Sequence, residues 1–515
     1  MYLYNLGLKY KALTAAGRDK PALWLNGETQ LTFGALDDLS NRLAGYLLAQ
    51  GLKPRQVVAI ANDKTAFGFA AMLACLKLGL IYTNFDFSNP KERLAKIFET
   101  AAPSFILADK TLTPDIQDLS RRRRIPCGDY GETNFKETIA NYPAVYPAET
   151  EAISGANPAY IMFTSGSTGV PKGVLIKQES LLNFIAWAKE TYALTPDDIL
   201  TNVNPIYFDN SVFDFYASIF NGLTMAAFSR DIVSQPKKLL ELIERTGCTF
   251  WFSVPSLLIY LSNMKILTPE VFRTVKTFTF GGEGYPKEQL RKLYDLYSPA
   301  ARFFNVYGPT EGTCICSAHE IKLADFQEDD RLVTLGRLAP NFEYLILDDQ
   351  NRPAAIGELC LMGPQLALGY YRDQERTDQS FRLNPLNQAY SQTMYRTGDL
   401  VEEKNGRLYF RGRADNQIKH MGYRIELEEI EAGLAKLPCV KQGAAIHGFT
   451  AAGFSRIIAY IAVNETPDHQ ELRTALRAYL PDYMIPNGFE FLPELPKNQN
   501  GKVDRLSLKR HSGLS

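Results

Sequence analysis

The sequence predicts an α/β fold: a large N-terminal domain of stacked α/β sheets with a β-rich subdomain, then a small α+β C-terminal domain. Three observations predict it. Helical and strand periodicities alternate over most of the chain, a β-rich stretch at 342–410 interrupts them, and a compact mixed pattern follows Arg413-Ala-Asp-Asn. At 515 residues the chain also exceeds what one hydrophobic core usually organises, so two or more domains are expected.

The elements follow in order. Leu36, Leu39, Leu43 and Leu47 recur at helical spacing, giving a helix over 36–49 that ends before Gly51, and 57–61 reads as a short buried strand. The alternation continues with helix 66–77 and strand 80–84, helix 90–99 and strand 104–107, helix 236–244 and strand 249–253, and helix 287–296 and strand 302–306. Such alternation predicts parallel sheets covered on both faces. In the β-rich stretch, Asp348-Asp-Gln-Asn and Lys404-Asn-Gly mark turns. Beyond it come helix 427–437, strands 443–446 and 456–463, and helix 469–479. The boundary is therefore placed at Asp415, dividing the chain into 1–414 and 415–515.

Composition narrows the class. Hydrophobic residues make up 45% and charged residues 22%, and the net charge of -1 gives no overall field for nucleic acid or an anionic membrane. The arginine run 121–124 lacks interleaved aromatics and reads as a solvated loop. Seven cysteines without a C-x-x-C pair fit reduced thiols in a cytoplasmic protein, and neither Cys314-Ile-Cys316 nor the five histidines have metal-site spacing. The N-terminus carries no signal-peptide pattern, and the apolar stretch 67–82 is too short to span a bilayer.

Chemistry concentrates in the segment Tyr160-Ile-Met-Phe-Thr164-Ser165-Gly166-Ser167-Thr168-Gly169-Val-Pro-Lys172-Gly173. A strand running into glycines, hydroxyls and a lysine suits phosphate: glycines let backbone N–H groups approach closely, hydroxyls donate, and lysine supplies charge. The alternative is a flexible polar turn. Pro171 stands where a P-loop needs its second glycine, so this is a nucleotide loop of another type.

This loop resembles the signature of the adenylate-forming superfamily, which includes acyl-CoA synthetases, luciferases and nonribosomal peptide synthetase adenylation domains. Further motifs arrive in that family's order. Asn305-Val-Tyr307-Gly-Pro-Thr310-Glu311-Gly is similar to its adenine and magnesium motif, which implies that Tyr307 stacks on the base and that Thr310 and Glu311 face phosphates and Mg²⁺. Tyr395-Arg-Thr-Gly-Asp399 resembles the ribose motif, with Asp399 on the hydroxyls. In Gly412-Arg413-Ala-Asp415-Asn-Gln-Ile-Lys419-His-Met-Gly422-Tyr-Arg424-Ile-Glu, the resemblance implies a hinge at Asp415, a ribose contact from Arg413 and a thiolation loop containing Lys419 and Gly422. Read alone, the same string is a charged turn before a helix. Asn500-Gly-Lys502-Val-Asp504-Arg505 resembles the motif of the catalytic lysine, although a lysine near a chain end is ordinarily just solvated. The resemblance further implies ATP and Mg²⁺ as cofactors and a mobile C-terminal domain.

The acyl group is addressed by Phe208-Asp209-Asn210-Ser-Val-Phe213-Asp, similar to the pocket segment of amino-acid-activating members. There Asp209 would pair with the substrate α-ammonium, whose burial without a counter-charge is costly; the alternative is a helix N-cap. By the same resemblance the pocket takes in Phe208, Asp209, Asn210, Phe213, Phe252, Thr279, Gly281, Val306 and Cys314. The two phenylalanines Phe213 and Phe252 narrow it, Gly281 leaves room, and Asn210 offers a polar contact, favouring a small or medium apolar side chain. The implied activity is ATP-dependent amino acid adenylation and transfer to the phosphopantetheine thiol of a separate carrier protein, as in nonribosomal peptide synthesis. The length and the 208–214 string also resemble D-alanine:carrier protein ligases, but Gly281 departs from their usual cysteine. An acyl-CoA synthetase and a catalytically silent nucleotide-binding protein are the remaining readings.

Overall fold

The structure is a computed structural model, and it describes residues 3–108, 114–166, 169–328, 330–450, 453–463, 467–497 and 503–514. Two large sheets stack through a shared layer of helices. The seven-stranded sheet runs in the order Gly369–Tyr370, Lys172–Lys177, Pro158–Thr164, Ile81–Asn84, Val57–Ala61, Phe105–Ala108, Cys127–Asp129. The eight-stranded sheet centres on Thr277–Gly281, Phe250–Ser253, Ile199–Asn202 and Thr224–Ala227, and Arg302–Tyr307 flanks that set. Between the sheets lies helix Ala66–Leu78, buried at every residue from Gly68 on, which is why its sequence shows no polar face. Its Lys77 is buried with it, and the ammonium is held by Asp37, Ser40 and Asn41, each at 2.7 Å.

The expected alternation is present, with ends shifted by a few residues. The first long helix starts earlier than its leucine pattern, at Phe33, because the Thr32 side chain accepts from Ala35 N and caps it. Two expectations are corrected. The sheets are parallel only in their middles: Pro158–Thr164 pairs antiparallel with Lys172–Lys177, and Arg302–Tyr307 antiparallel with Ser317–Glu320. Both antiparallel partners follow site loops, whose short connections permit only a hairpin-like return. The arginine run is not a loop either. Arg121, Arg122 and Arg123 form the last turn of helix Pro114–Arg123, where cations oppose the negative helix end, and Arg122 pairs with Asp118 one turn earlier.

A third, antiparallel sheet contains Glu343–Leu347, Ile356–Met362, Phe381–Leu383, Thr393–Lys404 and Arg407–Arg413, matching the expected β-rich stretch. After Arg413 the chain builds a separate apolar cluster around Ile425, Ile430, Leu434, Ile457, Ile461, Leu476 and Phe489, which draws in nothing earlier than Ile418. It covers the hairpin of Gln417–His420 with Tyr423–Glu426, helix Leu427–Leu434, and strands Val440–Phe449, Ser455–Val463 and Gly488–Leu492. Among the described residues no helix is long and apolar enough to cross a membrane.

Candidate active site

The site lies where the ends of strands from both large sheets meet the third sheet and the hairpin after Arg413. Strand Pro158–Thr164 delivers the glycine-rich loop. Thr164 Oγ1 is buried there without a partner, and Ser165 Oγ donates to the Arg424 carbonyl. A Cβ on Gly166 would stand 2.1 Å from Val170 O, so this turn closes only with glycine. Ser167 and Thr168 lie outside the described residues. Gly169 has φ 71°, and the return strand sets Lys172 opposite Thr164.

Tyr307 ends strand Arg302–Tyr307, and its hydroxyl donates to Asp399 Oδ2 at 2.6 Å. Burial first, then this carboxylate, pushes the phenol far above its ordinary pKa, so it stays a donor. Arg413 lies opposite Asp399 in the strand register. Its guanidinium reaches Asp399 Oδ1 at 2.7 Å and grips both Asp415 oxygens at 2.6 Å. Tyr307 also lines a hollow that it shares with Gly282, Gly284, Leu332 and Phe410, and with the charged Glu283 and Lys419.

Thr310 and Glu311 sit on the one-turn helix Thr310–Gly312. Glu311 is fully buried, with Oε2 on Arg424 Nη1 at 2.7 Å and Oε1 on Lys172 Nζ at 3.3 Å, while Tyr370 OH donates to it at 2.7 Å. Burial alone would raise its pKa, but Arg424 and Lys172 together hold it well below the carboxylate range. Burial, helped by Arg424 and opposed by Glu311, pushes Lys172 down to about 8. No group of three or more His, Cys, Asp or Glu among the described residues could hold a metal alone. One hard carboxylate beside a phosphate loop does fit Mg²⁺, which takes most of its oxygens from nucleotide and water.

Beyond Glu311, a small cavity is lined by Phe208, Asp209, Asn210, Val306 and Cys314 together with Tyr307, Thr310, Lys419 and Gly422. Asp209 precedes a short helical turn but makes no cap bond; its Oδ2 instead accepts from Thr310 Oγ1 at 2.5 Å. The N-cap alternative therefore has no hydrogen bond behind it. Burial raises the Asp209 pKa, and among the described residues no lysine or arginine pairs with it. Phe213, Phe252 and Thr279 do not line this cavity. They are buried behind it, with the Phe213 and Phe252 rings edge-on at 5.0 Å. Gly281 leaves no room, contrary to expectation: a Cβ there would meet Val306 Cγ2 and O at 2.5 Å, so glycine is what lets the two strands lie together.

The fourth wall comes from the segment after Arg413. Lys419 Nζ lies 5.6 Å from the centre of the Tyr307 ring. Gly422 has φ 81°, its N–H donates to Glu283 Oε2 at 3.2 Å, and a Cβ would stand 2.4 Å from Val254 Cγ1. Arg424 reaches Glu311, as described, and its Nε donates to Gln417 at 2.7 Å. Sequence reasoning quoted Arg424 within its motif but gave it no role, and it missed Tyr370 and Glu283. Nothing local marks these three, since each acts on a partner far along the chain. Lys502 lies outside the described residues. Nearby, Val503 bridges to Lys497, and Arg505 reaches Glu431 on helix Leu427–Leu434 at 2.7 Å.

The hollow beside Tyr307, the Asp399–Arg413 pair, the glycine-rich loop and the cavity at Asp209 adjoin one another, the arrangement expected of an adenylate-forming enzyme. The chain belongs to the AMP-binding enzyme family: the family model for AMP-binding enzymes matches residues 11–371, and that for their C-terminal domain matches 429–502. It is 34% identical over 487 residues to a dimodular nonribosomal peptide synthase of Bacillus subtilis, covering 93% of this chain and 20% of that one. It is also 32% identical to an L-proline--[L-prolyl-carrier protein] ligase of Streptomyces coelicolor, covering 94% and 92%. The chain thus spans a fifth of the one relative and nearly all of the other. The fold matches holo-PA1221, a nonribosomal peptide synthetase protein containing adenylation and PCP domains bound to a vinylsulfonamide inhibitor. That match has TM-score 0.83 and 24% identity, with 99% and 84% covered.

Proposed function

We propose that this protein is an AMP-forming ligase that adenylates the carboxylate of an amino acid and passes the aminoacyl group to the phosphopantetheine thiol of a carrier protein. One observation carries the amino acid: Asp209, a half-buried carboxylate lining the acyl cavity, with which no lysine or arginine among the described residues forms a direct ion pair. An α-ammonium there would restore the charge balance that burial disturbs. A fatty or aryl acid would leave the carboxylate only the Thr310 hydroxyl and the more distant charges of Lys419 and Arg424. The carrier as acceptor is supported by the similarity to a carrier protein ligase over nearly its whole length.

In this reading ATP lies with adenine against Tyr307, ribose on Asp399 and Arg413, and phosphates along Thr164–Lys172, including Ser167 and Thr168. The hydroxyls and N–H groups orient the α-phosphate for attack by the substrate carboxylate. Glu311 would hold Mg²⁺, which would supply positive charge to the departing pyrophosphate. Lys502 steadies the charge developing between carboxylate and α-phosphate. The segment 415–515 then turns about Asp415. Lys419 and Gly422 come to the mixed anhydride, the thiol attacks its carbonyl carbon, the acyl–phosphate bond breaks, and AMP leaves. The contacts of Gly422 with Val254 and of Arg424 with Glu311 support this reading of the second step. Seven cysteines without a disulfide fit the cytoplasm as its compartment.

The test is amino-acid-dependent exchange of pyrophosphate into ATP, across the proteinogenic amino acids and D-alanine. Exchange with one or a few is expected. Exchange only with acids lacking an amino group would overturn the amino-acid reading.

A further inference from the structure

Helix Lys91–Ala101 belongs to the large N-terminal region and reaches the site through Lys96, whose Nζ donates to the Gly169 carbonyl at 2.7 Å; Arg93 takes no part in that contact. Its Arg93 is nevertheless only 7% exposed, because its guanidinium is covered by helix Leu427–Leu434 and forms an ion pair there with Glu429, itself 5% exposed. The second Glu429 oxygen is buried without any partner, so Arg93 is all the counter-charge this carboxylate has. The guanidinium also faces the Tyr483 hydroxyl. Tyr483 stacks on Tyr423 at 3.9 Å and 9°, and Tyr423 meets Phe208 edge-on at 4.7 Å. Phe208 is the residue before Asp209 and lines the acyl cavity. A continuous run of contacts thus joins the buried ion pair to the cavity wall and to the segment carrying Gly422.

Two full charges buried together are tolerable only while paired. If either partner is neutralised, the other is left desolvated in this arrangement, but not in one where the domains part and water reaches it. Resting on the two-step reading above, we propose that Arg93 and Glu429 are positioning residues for thioester formation. They form a buried latch that seats the C-terminal domain so that the Gly422 segment faces the adenylate, and adenylation does not need them. A second, exposed pair, Lys436 with Glu92, flanks the latch and is solvated on both sides, so it adds little.

The test separates the two half-reactions. Pyrophosphate exchange is measured with the amino acid that exchanges best, and single-turnover acyl transfer from preformed adenylate is measured to free pantetheine. Arg93→Gln and Glu429→Gln are each expected to keep exchange within about twofold of wild type and to slow transfer tenfold or more. The reversed pair, Arg93→Glu with Glu429→Arg, should recover most of the transfer rate, and Lys436→Ala should change neither step. Loss confined to transfer, in a variant that melts at the wild-type temperature, is something a merely structural role would not give. If Arg93→Gln does not fold, Glu429→Gln carries the same comparison from the other side. Equal losses in both steps from a variant melting at the wild-type temperature, or unchanged transfer, overturn the latch. Wild-type protein that exchanges with no amino acid overturns the two-step reading instead.

Discussion

The two sides of the active cleft differ in how their charges are held. The fixed side, built from the three N-terminal sheets and the turns beside them, contributes Asp209, Glu311 and Asp399 and supplies counter-charges of its own, Lys172 to Glu311 and Arg413 to Asp399. The other side is a short hairpin, Gln417–His420 with Tyr423–Glu426, and it brings the cations Lys419 and Arg424 plus a glycine where a side chain would collide. The fixed side therefore keeps its own counter-charges, and the hairpin adds to them. In the proposed cycle, rotating the small domain would withdraw Lys419 and Arg424 while Lys172 and Arg413 stay in place. In the described arrangement Arg424 sits on the Glu311 carboxylate, the group assigned to Mg²⁺.

The largest break in this comparison is the cation expected from the chain's tail. Lys502→Ala should cut pyrophosphate exchange by roughly 10²–10³-fold, the usual cost of removing a preorganised electrostatic donor. It should spare transfer from supplied adenylate, and equal loss in both assays would merge the two states. Next comes the fixed side. Asp209→Asn should lower kcat/KM for the amino acid by roughly a hundredfold, about 3 kcal/mol for leaving an ammonium unpaired, with a smaller loss for the matching acid without its amino group. Steady-state exchange with both substrates reads the difference. On the moving side, Gly422→Val collides with Val254 and forces a side chain into positive φ, so transfer should fall about tenfold while exchange holds.

The smallest effect is a pH dependence. Lys172 titrates near 8 rather than 10.5 because it is buried beside Arg424. Its charge is present below about 8 and lost above, so KM for ATP should rise severalfold between pH 7 and 9, and Lys172→Arg should flatten that rise. For stability the sign runs the other way. The unfolded chain holds this proton up to 10.5, so the cost of burying the ammonium is full below about 8 and fades between 8 and 10.5.

Much of the fold was legible because apolar residues repeat at helix and strand periods wherever an element buries one face or two. Helix Ala66–Leu78 was legible even without a polar face, from its length and from Gly79 behind it. The antiparallel sheet margins were not, since a buried strand carries the same residues in either direction. In the site, the glycine loop, Tyr307, Glu311 and Asp399 could be found because each sits in a short string with its neighbours. Gly281 was misjudged for the opposite reason: the atom it yields to, on Val306, comes from another strand. Arg93 and Arg424 gain their roles only from partners 336 and 113 residues away, so no window along the chain displays them.

The self-contained apolar cluster after Ile418 has a practical consequence. Because most of its packing is its own, the tail can be treated as a cassette for chimeras between relatives. Such a graft would have to preserve the side chains that dock it on Phe208, Val254, Glu311 and Arg93, chief among them Tyr423, Arg424 and Glu429. Compatibility of a donor tail then reduces to whether it presents that ring and those two charges at the right spacing, a criterion simpler than matching a whole interface.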